Sequence, residues 1–394
     1  MKILLVHNFY QQPGGEDQVF LREGNLLEEM GNEVLRYTVH NRDIGNRGRL
    51  ALFRKALWNQ TVYQELRNLI RSDRPDVVHF HNIFPLVSPS AYYAANAEGV
   101  PVVQTLHNYR LLCPSATFYR TRSPCEACTR TMIPWPGVIH RCYKESFALS
   151  GAVAAMLVVH RLLRTWKSKV TSYVVMTEFA REKFIDSGIP AQKIKVKSHF
   201  LGIDPGPGPG TGHYAIFVGR LSKEKGISTL LEAWSLLKRT IPLKIIGDGP
   251  LAPAVADAAR WNSSISWLGR KEPAEIYDLV GNATCLVFPS ELYETFGLVI
   301  IESFSKGTPV IASQIGAASE LIVDGQTGLH FMPGTAADLA EKVRWLLDHP
   351  VQGAAMRWRA RKEFEEKYSA TRNYDSLMDI YRQVTAGIKN QLLV

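Results

Sequence analysis

Two carboxylates in the second half of the chain have the spacing and surroundings of a sugar-nucleotide grip. Glu294 follows a short apolar run in a Ser/Glu/Tyr loop, and Glu302 lies eight residues further on. Between them, Phe296, Gly297 and Leu298 begin a predicted helix, and the first N–H groups of a helix attract anions because they lack acceptors within it. We expect Glu294 to meet sugar hydroxyls, Glu302 a ribose and the helix start a phosphate. The alternative, one acid in a solvated loop and one on a helix surface, stays open on this motif alone.

Two cations and two further strand ends add to this pattern in the same half. Arg220 and Lys225 stand five residues apart in a glycine-bounded loop after a predicted strand. A planar guanidinium and a mobile ammonium at this spacing suit a diphosphate, although a solvated charge run has the same composition. The segments around Gly249 and Leu268 lie at the ends of the next two predicted strands. We expect them to line the nucleotide base.

Further candidates follow strands predicted in the first half. Gly14 and Gly15 stand between the first strand and its helix, where paired glycines let a ligand approach the backbone closely; the alternative is a simple turn. His107 follows the fourth strand, where an imidazole would donate to a sugar hydroxyl or stabilise developing charge. A lone histidine is more often structural, so this interpretation rests on position. Of its neighbours, His79 is expected to point inward and His81 toward the same cleft.

Four of the five cysteines lie in one Pro- and Arg-rich loop, residues 110–143. Cys125 and Cys128 form a C-x2-C pair, which is flanked by Cys113 and Cys142. In a cytoplasmic protein such clustering favours a metal over disulfides, and four thiols complete a tetrahedral zinc site. We therefore expect structural zinc to fix a loop with little apolar content. Unmetallated thiols and an iron–sulfur or redox role are the alternatives.

Short apolar runs alternate with helical patterns along the whole chain. Continuous Val/Ile/Leu runs, rather than strict alternation, indicate strands that are buried on both faces of a parallel sheet. These runs predict strands at residues 3–7, 34–39, 77–80, 102–106 and 173–176, and again at 214–218, 243–246, 265–267, 285–288 and 310–312. The sequence therefore predicts an α/β protein with two doubly wound, Rossmann-like domains that face each other across a cleft.

A Pro/Gly-rich segment divides the chain into these two domains. Residues 204–212 contain three prolines and four glycines, which predict a linker rather than a regular element. Residues 1–203 then form the N-terminal domain and residues 213–372 the C-terminal domain. A charged helix over residues 373–394 is expected to cross back to the N-terminal domain.

Composition and charge limit the kind of protein this is. The chain has 394 residues, of which 46% are hydrophobic and 21% charged, as in a globular protein of two domains. Its N-terminal residues resemble a buried strand rather than a signal peptide, so we expect a cytoplasmic protein. The net charge of +9 lies in the first half: residues 1–200 carry 26 Lys/Arg against 16 Asp/Glu, and residues 201–394 carry 20 against 21. This asymmetry indicates an anionic membrane or a pyrophosphate-linked acceptor, or plain solubility, and no nucleic-acid motif accompanies it.

One stretch of the first half raises the question of a membrane partner. Residues Phe147–His160 are nearly all apolar, and Arg161–Lys169 then adds four cations and a tryptophan. This pattern fits an interfacial helix that docks on anionic lipid, and equally a buried helix with a solvated cationic end. We expect peripheral association with the inner face of the membrane as the hypothesis to test.

Taken in order, these motifs resemble one enzyme family. Phe217–Gly226, Gly247–Pro250 and the paired glutamates Glu294 and Glu302 resemble the family 4 retaining glycosyltransferases of the GT-B fold, the glycosyl transferases group 1. The two glycines after the first strand and the histidine after the fourth look like the N-terminal counterparts, so the resemblance covers essentially the whole chain. One departure is Thr295, where the family often has glycine beside the donor sugar, and it leaves the identity of that sugar open.

The resemblance implies that the first domain takes the acceptor and the second the donor. It also implies donor contacts for a set of matched positions: Arg220 and Lys225 for the pyrophosphate, Glu294 for the transferred sugar, Glu302 for the ribose, Phe296, Gly297 and Leu298 for phosphate and sugar through their amides, Gly15 for the diphosphate, and His107 for the region of the sugar ring.

The activity implied is sugar transfer with retention at the anomeric carbon. The donor would be a UDP- or GDP-linked sugar and the acceptor a glycan or a lipid-pyrophosphate-linked glycan, in bacterial surface polysaccharide or glycoconjugate synthesis. No Asp-x-Asp motif lies in the predicted cleft loops, so we expect no catalytic cofactor and assign charge neutralisation to Arg220, Lys225 and helix amides. The alternatives are a sugar-nucleotide epimerase or phosphorylase of the same fold, and a metal-organised basic module that binds nucleic acid.

Overall fold

The computed structural model describes residues 1–11, 14–44, 49–129 and 131–391. Within these residues the chain forms fourteen strands: β1 (Lys2–Phe9), β2 (Glu33–His40), β3 (Val77–Asn82), β4 (Val102–Thr105), β5 (Tyr119–Arg120), β6 (Ser123–Pro124), β7 (Ser172–Val175), β8 (Ile194–Val196), β9 (Ala215–Val218), β10 (Leu243–Ile246), β11 (Ile265–Gly269), β12 (Cys285–Phe288), β13 (Val310–Ser313) and β14 (Gly328–Phe331).

Sixteen α-helices alternate with these strands in the described part of the chain. They are α1 (Gly15–Glu29), α2 (Arg49–Leu57), α3 (Gln60–Asp73), α4 (Ser90–Ala97), α5 (Trp135–Ile139), α6 (Phe147–Leu162), α7 (Thr165–Ser168), α8 (Glu178–Asp186), α9 (Ile227–Leu236), α10 (Ala252–Trp261), α11 (Pro273–Asn282), α12 (Leu298–Ser305), α13 (Gly316–Leu321), α14 (Ala336–Asp348), α15 (Pro350–Lys367) and α16 (Ala370–Gln391). No helix of the described residues is both long enough and apolar enough to cross a bilayer.

The first compact unit is a six-stranded parallel sheet covered by helices. It comprises the described residues of Met1–Thr117, Glu126–His199 and Ala370–Val394, and its strand order is β2-β1-β3-β4-β7-β8. All of these strand pairs are parallel. The order reverses between β1 and β3, and ligands of doubly wound sheets bind outside the carboxyl ends of the strands at such a point.

Helix α16 completes the core of this first unit from the far end of the chain. Leu377, Met378 and Tyr381 are buried in one cluster with Ile3 and Val103 of β1 and β4. The helix predicted over residues 373–394 corresponds to α16, which begins three residues earlier at Ala370. Helix α15 belongs to the second unit and α16 to the first. Residues 392–394 of the predicted C-terminal helix lie outside the described residues.

The second compact unit repeats the architecture of the first. It comprises Phe118–Cys125 and Phe200–Ser369, and its parallel sheet has the order β11-β10-β9-β12-β13-β14, which reverses between β9 and β12. The Pro/Gly segment 204–212 has no regular structure but is held in place. The guanidinium of Arg357 donates to the carbonyl oxygens of Gly208 at 2.9 Å and Ala283 at 3.0 Å. The short hairpin β5–β6, which lies in the predicted cysteine loop, groups with this unit.

The predicted fold class of two Rossmann-like α/β domains is confirmed. Each of the ten predicted strands overlaps an observed strand, and three of them, at residues 102–106, 173–176 and 214–218, extend one residue beyond it. Four strands were missed: β5 and β6 of the short hairpin, and one strand in each large sheet, so each of these sheets has six strands rather than five. Of the latter two, β8 has only three residues, and β14 begins at a glycine and holds a histidine. Neither has the uninterrupted Val/Ile/Leu run by which the others were recognised.

Candidate functional site

An ion pair at the carboxyl edge of the second sheet joins the loops that follow β9 and β12. Lys225 Nζ forms an ion pair with Glu294 Oε1, and Ser290 Oγ donates to the same carboxylate oxygen at 2.8 Å. The side chains of Glu294 and Lys225 are 15% and 29% exposed, so the pair is partly shielded but reachable. Two residues that the sequence predicted to hold sugar and diphosphate therefore meet where the strand order reverses.

Gly226 allows these two loops to approach each other. Its φ is +70°, and a Cβ built on it would lie 1.8 Å from the carbonyl oxygen of Pro289 at the end of β12. Any other residue would push the loops apart as well as strain the backbone. The glycine next to Lys225 is thus a requirement for the contact between Lys225 and Glu294.

Helix α12 begins at Leu298, four residues after Glu294. Gly297 precedes the helix at φ +107°, and no side chain caps the helix start. Phe296 is buried at 2% exposure and anchors the turn, while Gly297 and Leu298 are half-buried. Glu302 lies on the same helix, half-buried, one turn beyond Leu298. The arrangement joins a cation, a carboxylate and a helix N-terminus, which together suit an anionic ligand with hydroxyl groups.

The sequence analysis missed Glu291, a buried acid in the same loop. Its Oε1 accepts from Thr229 Oγ1 at 2.8 Å, its Oε2 accepts from the Tyr119 hydroxyl at 3.2 Å, and its amide donates to the Glu224 carbonyl at 2.9 Å. Glu291 thereby fixes the loop that carries Glu294. Two acids three residues apart in one loop were the only signal in the sequence, and they read as solvated.

The remaining predicted site residues of this unit lie near the ends of neighbouring strands, and two of the loops there are joined by backbone hydrogen bonds. The amide of Gly219 donates to the Ile246 carbonyl at 3.0 Å, and the amide of Leu221 donates to the Asp248 carbonyl at 3.0 Å. This brings Arg220, which is exposed, beside the loop that contains Gly249. Leu268 is half-buried near the end of the edge strand β11. All of the predicted donor residues of the second half therefore lie at one edge of one sheet.

In the first unit, His107 follows β4 and is half-buried among other histidines. Its Nε2 lies 3.1 Å from His81 Nδ1, and its ring stacks on those of His81 and His199 with centroid distances of 5.2 and 5.4 Å. Burial and these neighbouring imidazoles hold the pKa of His107 well below its usual range. Burial likewise lowers the pKa of His79 far below its usual value and that of His199 to about 3. His107 is therefore a neutral imidazole at pH 7.

Gly14 and Gly15 lie at the start of α1, where the chain supplies its own carboxylate. Asp17 Oδ2 accepts from the amide of Gly14 at 2.9 Å, and Asp17 Oδ1 lies 2.7 Å from His7 Nε2. Glu16 is held by the Asn108 side chain at 3.2 Å, and burial raises its pKa to about 7. Both glycines thus stand at the carboxyl edge of the first sheet, beside two acidic side chains that were not singled out in the sequence.

The prediction of structural zinc at Cys113, Cys125, Cys128 and Cys142 is not supported. Within the described residues no disulfide forms, and the one group of three or more side chains able to hold a metal ion contains no cysteine. Cys125 lies in the second unit, whereas the other three lie in the first. Clustering in sequence therefore did not produce a cluster of thiols.

Arg161 stabilises the part of the cysteine loop for which zinc was expected. Its guanidinium donates to the carbonyl oxygens of Thr131 and Met132 at 2.9 Å and of Leu111 at 3.3 Å. Burial lowers the pKa of this arginine, as expected for a cation that is partly removed from water. From the sequence, Arg161 belongs to a cationic stretch that either docks on anionic lipid or is solvated, and neither alternative predicts these contacts.

Comparisons with known proteins match both halves of the chain. The family model described as "Glycosyl transferase 4-like domain" matches residues 14–198, and the model "Glycosyl transferases group 1" matches residues 205–363. Glycogen synthase of Mycobacterium tuberculosis is 31% identical over 322 residues, which cover 76% of this chain and 68% of that protein. Alpha-D-kanosaminyltransferase of Streptomyces kanamyceticus is 26% identical and covers 74% of this chain and 73% of its own length.

Solved structures resemble the whole chain in fold. Sucrose-phosphate synthase from Thermosynechococcus elongatus superposes with a TM-score of 0.72 at 15% identity, covering 98% of this chain and 100% of that one. The Anabaena protein HepE, solved in complex with UDP, gives 0.70 at 16% identity and covers 97% and 100%. The fold and the sequence matches define a glycosyltransferase of the GT-B fold. Within that class, the chain belongs to the family 4 glycosyltransferases, as its motifs predicted.

The contacts of Arg161 predict the behaviour of the cysteine loop. Replacing Arg161→Gln removes charged donors from three carbonyls and should destabilise the first unit by about 2–4 kcal/mol. Amide hydrogen exchange should rise in peptides that contain Leu111 and Met132. Arg164→Gln, at an exposed position beside it, should change neither quantity. If a chelator released the loop while Arg161→Gln did not, the zinc assignment would be restored.

The buried neutral histidines predict acid sensitivity. His79, His107 and His199 have lowered pKa values when folded, whereas unfolded histidines titrate near about 6.5, so below that pH only the unfolded chain takes up these protons. Each costs about 1.4 kcal/mol of stability per pH unit as the pH falls. Glu16, with its raised pKa, offsets one of the three between about pH 7 and 4.5. Denaturant unfolding at pH 7.5, 6.5 and 5.5 should show this loss, and stability that stays level would contradict it.

Proposed function

We propose that this glycosyltransferase moves a sugar from a UDP- or GDP-linked donor to a glycan or lipid-pyrophosphate-linked acceptor, with retention at the anomeric carbon. The observation that carries the proposal is the ion pair between Lys225 and Glu294 beside the N-terminus of α12. A diphosphate and a hydroxylated sugar are the two chemical groups that this combination suits. HepE, the structural neighbour described above, was solved with UDP, which agrees with such a donor.

In this reaction the second unit must stabilise the negative charge that develops on the leaving diphosphate. When the bond between the anomeric carbon and the diphosphate oxygen breaks, the electron pair stays with the diphosphate. Lys225, Arg220 and the amides at the start of α12 would neutralise that charge without moving far. Glu294 would then keep its hydrogen bond from Ser290 and turn its other oxygen to sugar hydroxyls. The donor thus replaces Glu294 as the partner of the Lys225 ammonium.

A neutral His107 fits a role at the sugar or the acceptor better than a role at the diphosphate. An uncharged imidazole contributes no net charge against phosphate oxygens, and its low pKa keeps it uncharged at pH 7. Hydroxyl groups, in contrast, exchange hydrogen bonds with a neutral imidazole at little cost. The first unit would therefore handle hydroxyl groups, while the cations of the second unit handle phosphate.

The proposed roles of Lys225 and Glu294 predict different effects of their substitution on diphosphate binding. Lys225→Met removes a charged donor and should weaken UDP or GDP binding about 10- to 100-fold, measured by calorimetry. Glu294→Gln frees Lys225 from its internal partner, so diphosphate binding should stay level or tighten while sugar transfer is lost. Lys223→Met, an exposed lysine in the same turn, is the matched control and should behave as the native protein.

The same assays separate the alternatives. Unchanged diphosphate affinity in Lys225→Met would count against the proposed donor site. Conversion of the sugar nucleotide without acceptor would indicate an epimerase, and dependence on free phosphate a phosphorylase. A salt-dependent mobility shift with nucleic acid, without donor binding, would favour the nucleic-acid module. The anomeric configuration of the product, read by proton NMR, tests retention.

A membrane partner on the cytoplasmic side is part of the proposal, and an exposed apolar ridge of the first unit supports it. The segment before α5 runs back along α6, because Arg161 near the end of α6 bonds to Met132. The ridge consists of Met132, Ile133, Trp135, Ile139, Phe147, Leu162 and Leu163, each more than half exposed. The middle of α6 is mostly buried, so the helix itself does not form the docking face.

Cations flank this ridge at both ends. Arg141 and Lys144 are exposed near Phe147, and Arg164 and Lys167 are exposed next to Leu163. Apolar side chains between clusters of positive charge suit the interface of an anionic bilayer. A lipid-linked acceptor would be presented there, in agreement with surface polysaccharide synthesis.

Flotation with vesicles tests the ridge. The native protein should float with vesicles that contain anionic phospholipid at low salt and remain below with neutral ones. The double substitution Leu162→Gln with Leu163→Gln should lower the bound fraction at least about tenfold, because two leucine side chains no longer enter the bilayer. Trp358→Ser, at an exposed tryptophan of α15, is the control. Native protein that never floats would remove the membrane from the proposal.

A further inference from the structure

A short hairpin from the first half of the chain is built into the second unit. Strands β5 and β6 lie in the cysteine loop, and residues Phe118–Cys125 group with the second unit, whereas the residues before and after them in the chain belong to the first. The side chain of Phe118 is fully buried, and its ring meets the ring of Tyr293 edge-on at a centroid distance of 6.3 Å. Within the second unit, the hairpin therefore packs against the residue next to Glu294.

Tyr119, the next residue of the hairpin, contacts the same loop through its hydroxyl group, which donates to Glu291 Oε2 at 3.2 Å. Burial and the neighbouring acids Glu291 and Glu224 raise the pKa of Tyr119, so the hydroxyl keeps the proton that this bond needs. Glu291 is only 7% exposed, and its Oε1 accepts from the hydroxyl of Thr229 in the first turn of α9 at 2.8 Å. Both carboxylate oxygens thus have hydroxyl donors from elements outside the loop.

The position of Glu291 affects Glu294 more directly than it affects Lys225. Glu291 and Glu294 lie in one turn, in which the amide of Glu294 donates to the Leu292 carbonyl at 3.0 Å. The loop of Lys225 has a separate support, because the amide of Leu221 in that loop donates to the loop after β10. A shift of the Glu291 side chain would therefore displace the Glu294 carboxylate, while the loop that carries the cations stays in place.

We propose that Tyr119 is a positioning residue for sugar transfer, which acts through Glu291 to hold the Glu294 carboxylate against the transferred sugar. The inference rests on the proposed function, in which Glu294 contacts that sugar and Lys225 the diphosphate. A misplacement of about 1 Å can slow an enzyme about 100-fold, so a restraint on Glu294 affects the rate of transfer. The hairpin of the cysteine loop, for which the sequence predicted a role in binding zinc, then serves the donor side.

Direct contact with a substrate is the alternative role for Tyr119, since its side chain is only half-buried. A hydroxyl that bound the donor or the acceptor would contribute to affinity, and its loss would raise KM. A hydroxyl that acts through Glu291 would instead alter kcat. The geometry favours the second role, because the hydroxyl has one proton and donates it to Glu291.

Two matched tyrosine variants separate positioning from general stability. Tyr119→Phe removes only the hydroxyl that donates to Glu291. Tyr214→Phe removes a hydroxyl of the same unit that donates to the Leu279 carbonyl at 2.7 Å, just before β9 and so at the opposite end of that strand from Lys225. Tyr119→Phe should lower kcat about tenfold, with the Kd for UDP or GDP within about twofold of the native value. Tyr214→Phe should leave kcat unchanged, although it also loses one hydrogen bond.

Three results of this comparison would overturn the positioning role. Equal slowing by both variants would show a general effect of lost stability. A raised KM at native kcat in Tyr119→Phe would show direct contact with a substrate. Native kcat in Tyr119→Phe would show that the hydroxyl is not needed at all. Thermal unfolding transitions establish that each variant is folded before the rates are compared.

A double-mutant cycle tests whether Tyr119 acts through Glu291. Glu291→Met removes the acceptor of the tyrosine hydroxyl, so Tyr119→Phe should have no further effect on kcat in that background. If the two substitutions lowered kcat by independent factors that multiply, the action through Glu291 would be wrong. If Glu291→Met does not fold, the comparison of the two tyrosine variants decides alone.

Amide hydrogen exchange distinguishes failure of this proposal from failure of the function it rests on. Exchange in peptides that contain residues 291–294 should rise in Tyr119→Phe and stay at the native level in Tyr214→Phe. If the native protein transferred no sugar from any donor tried, the proposed function would fail, and the exchange rates would still show whether Tyr119 holds the loop. Native exchange in Tyr119→Phe would overturn the positioning role while transfer by the native protein stood.

Discussion

Every functional side chain described above depends on one constraint, which is that parallel strands all end at the same edge of their sheet. In the second unit this edge collects the loops after β9, β10, β11 and β12, and in the first unit the loops after β1, β3 and β4. Residues far apart in sequence then become neighbours without any contact having to be encoded locally. The reversal of strand order opens a gap between two central loops, and the close approach at Gly226 makes that gap narrow enough for an ion pair.

Each unit pairs a shielded carboxylate with a lysine, but the two ion pairs differ in their exposure to solvent. In the second unit, Glu294 and Lys225 remain reachable from solvent, so an incoming anion can compete for the lysine. In the first unit, Glu23 and Lys197 are almost completely buried, and no ligand can exchange with them. A buried pair of this kind contributes little net stability, because desolvation cancels most of the attraction. Glu23 Oε1 also lies 3.4 Å from His79 Nδ1 and 3.2 Å from His81 Nε2.

Much of the fold, and the residues that meet at the candidate site of the second unit, could be predicted because both depend on short-range patterns. Buried strands can be recognised as apolar runs in the sequence. The loops that follow them carry Arg220, Lys225 and Glu294. The buried ion pair of Glu23 and Lys197 could not be predicted, because the two residues are 174 positions apart and each resembles an ordinary surface charge in the sequence. The zinc prediction was not supported for a related reason: spacing along the chain does not fix the distance between thiols across a folded loop. Arg161 resembles a surface cation in the sequence, but its guanidinium donates to three carbonyl groups of the cysteine loop.

Because α16 belongs to the first unit, the two units can complete folding in the reverse of the order in which they are synthesised. Residues up to Ser369 contain the whole second unit, so that unit can fold as soon as they leave the ribosome. The first unit, although synthesised earlier, lacks the helix that buries Ile3 and Val103 until the last residues appear. Until then His79 has no tyrosine hydroxyl from Tyr381, and Lys197 has no amide from Asn373. A ribosome that stopped before residue 370 would release a complete second unit joined to a first unit with an open core, and such a product is prone to proteolysis.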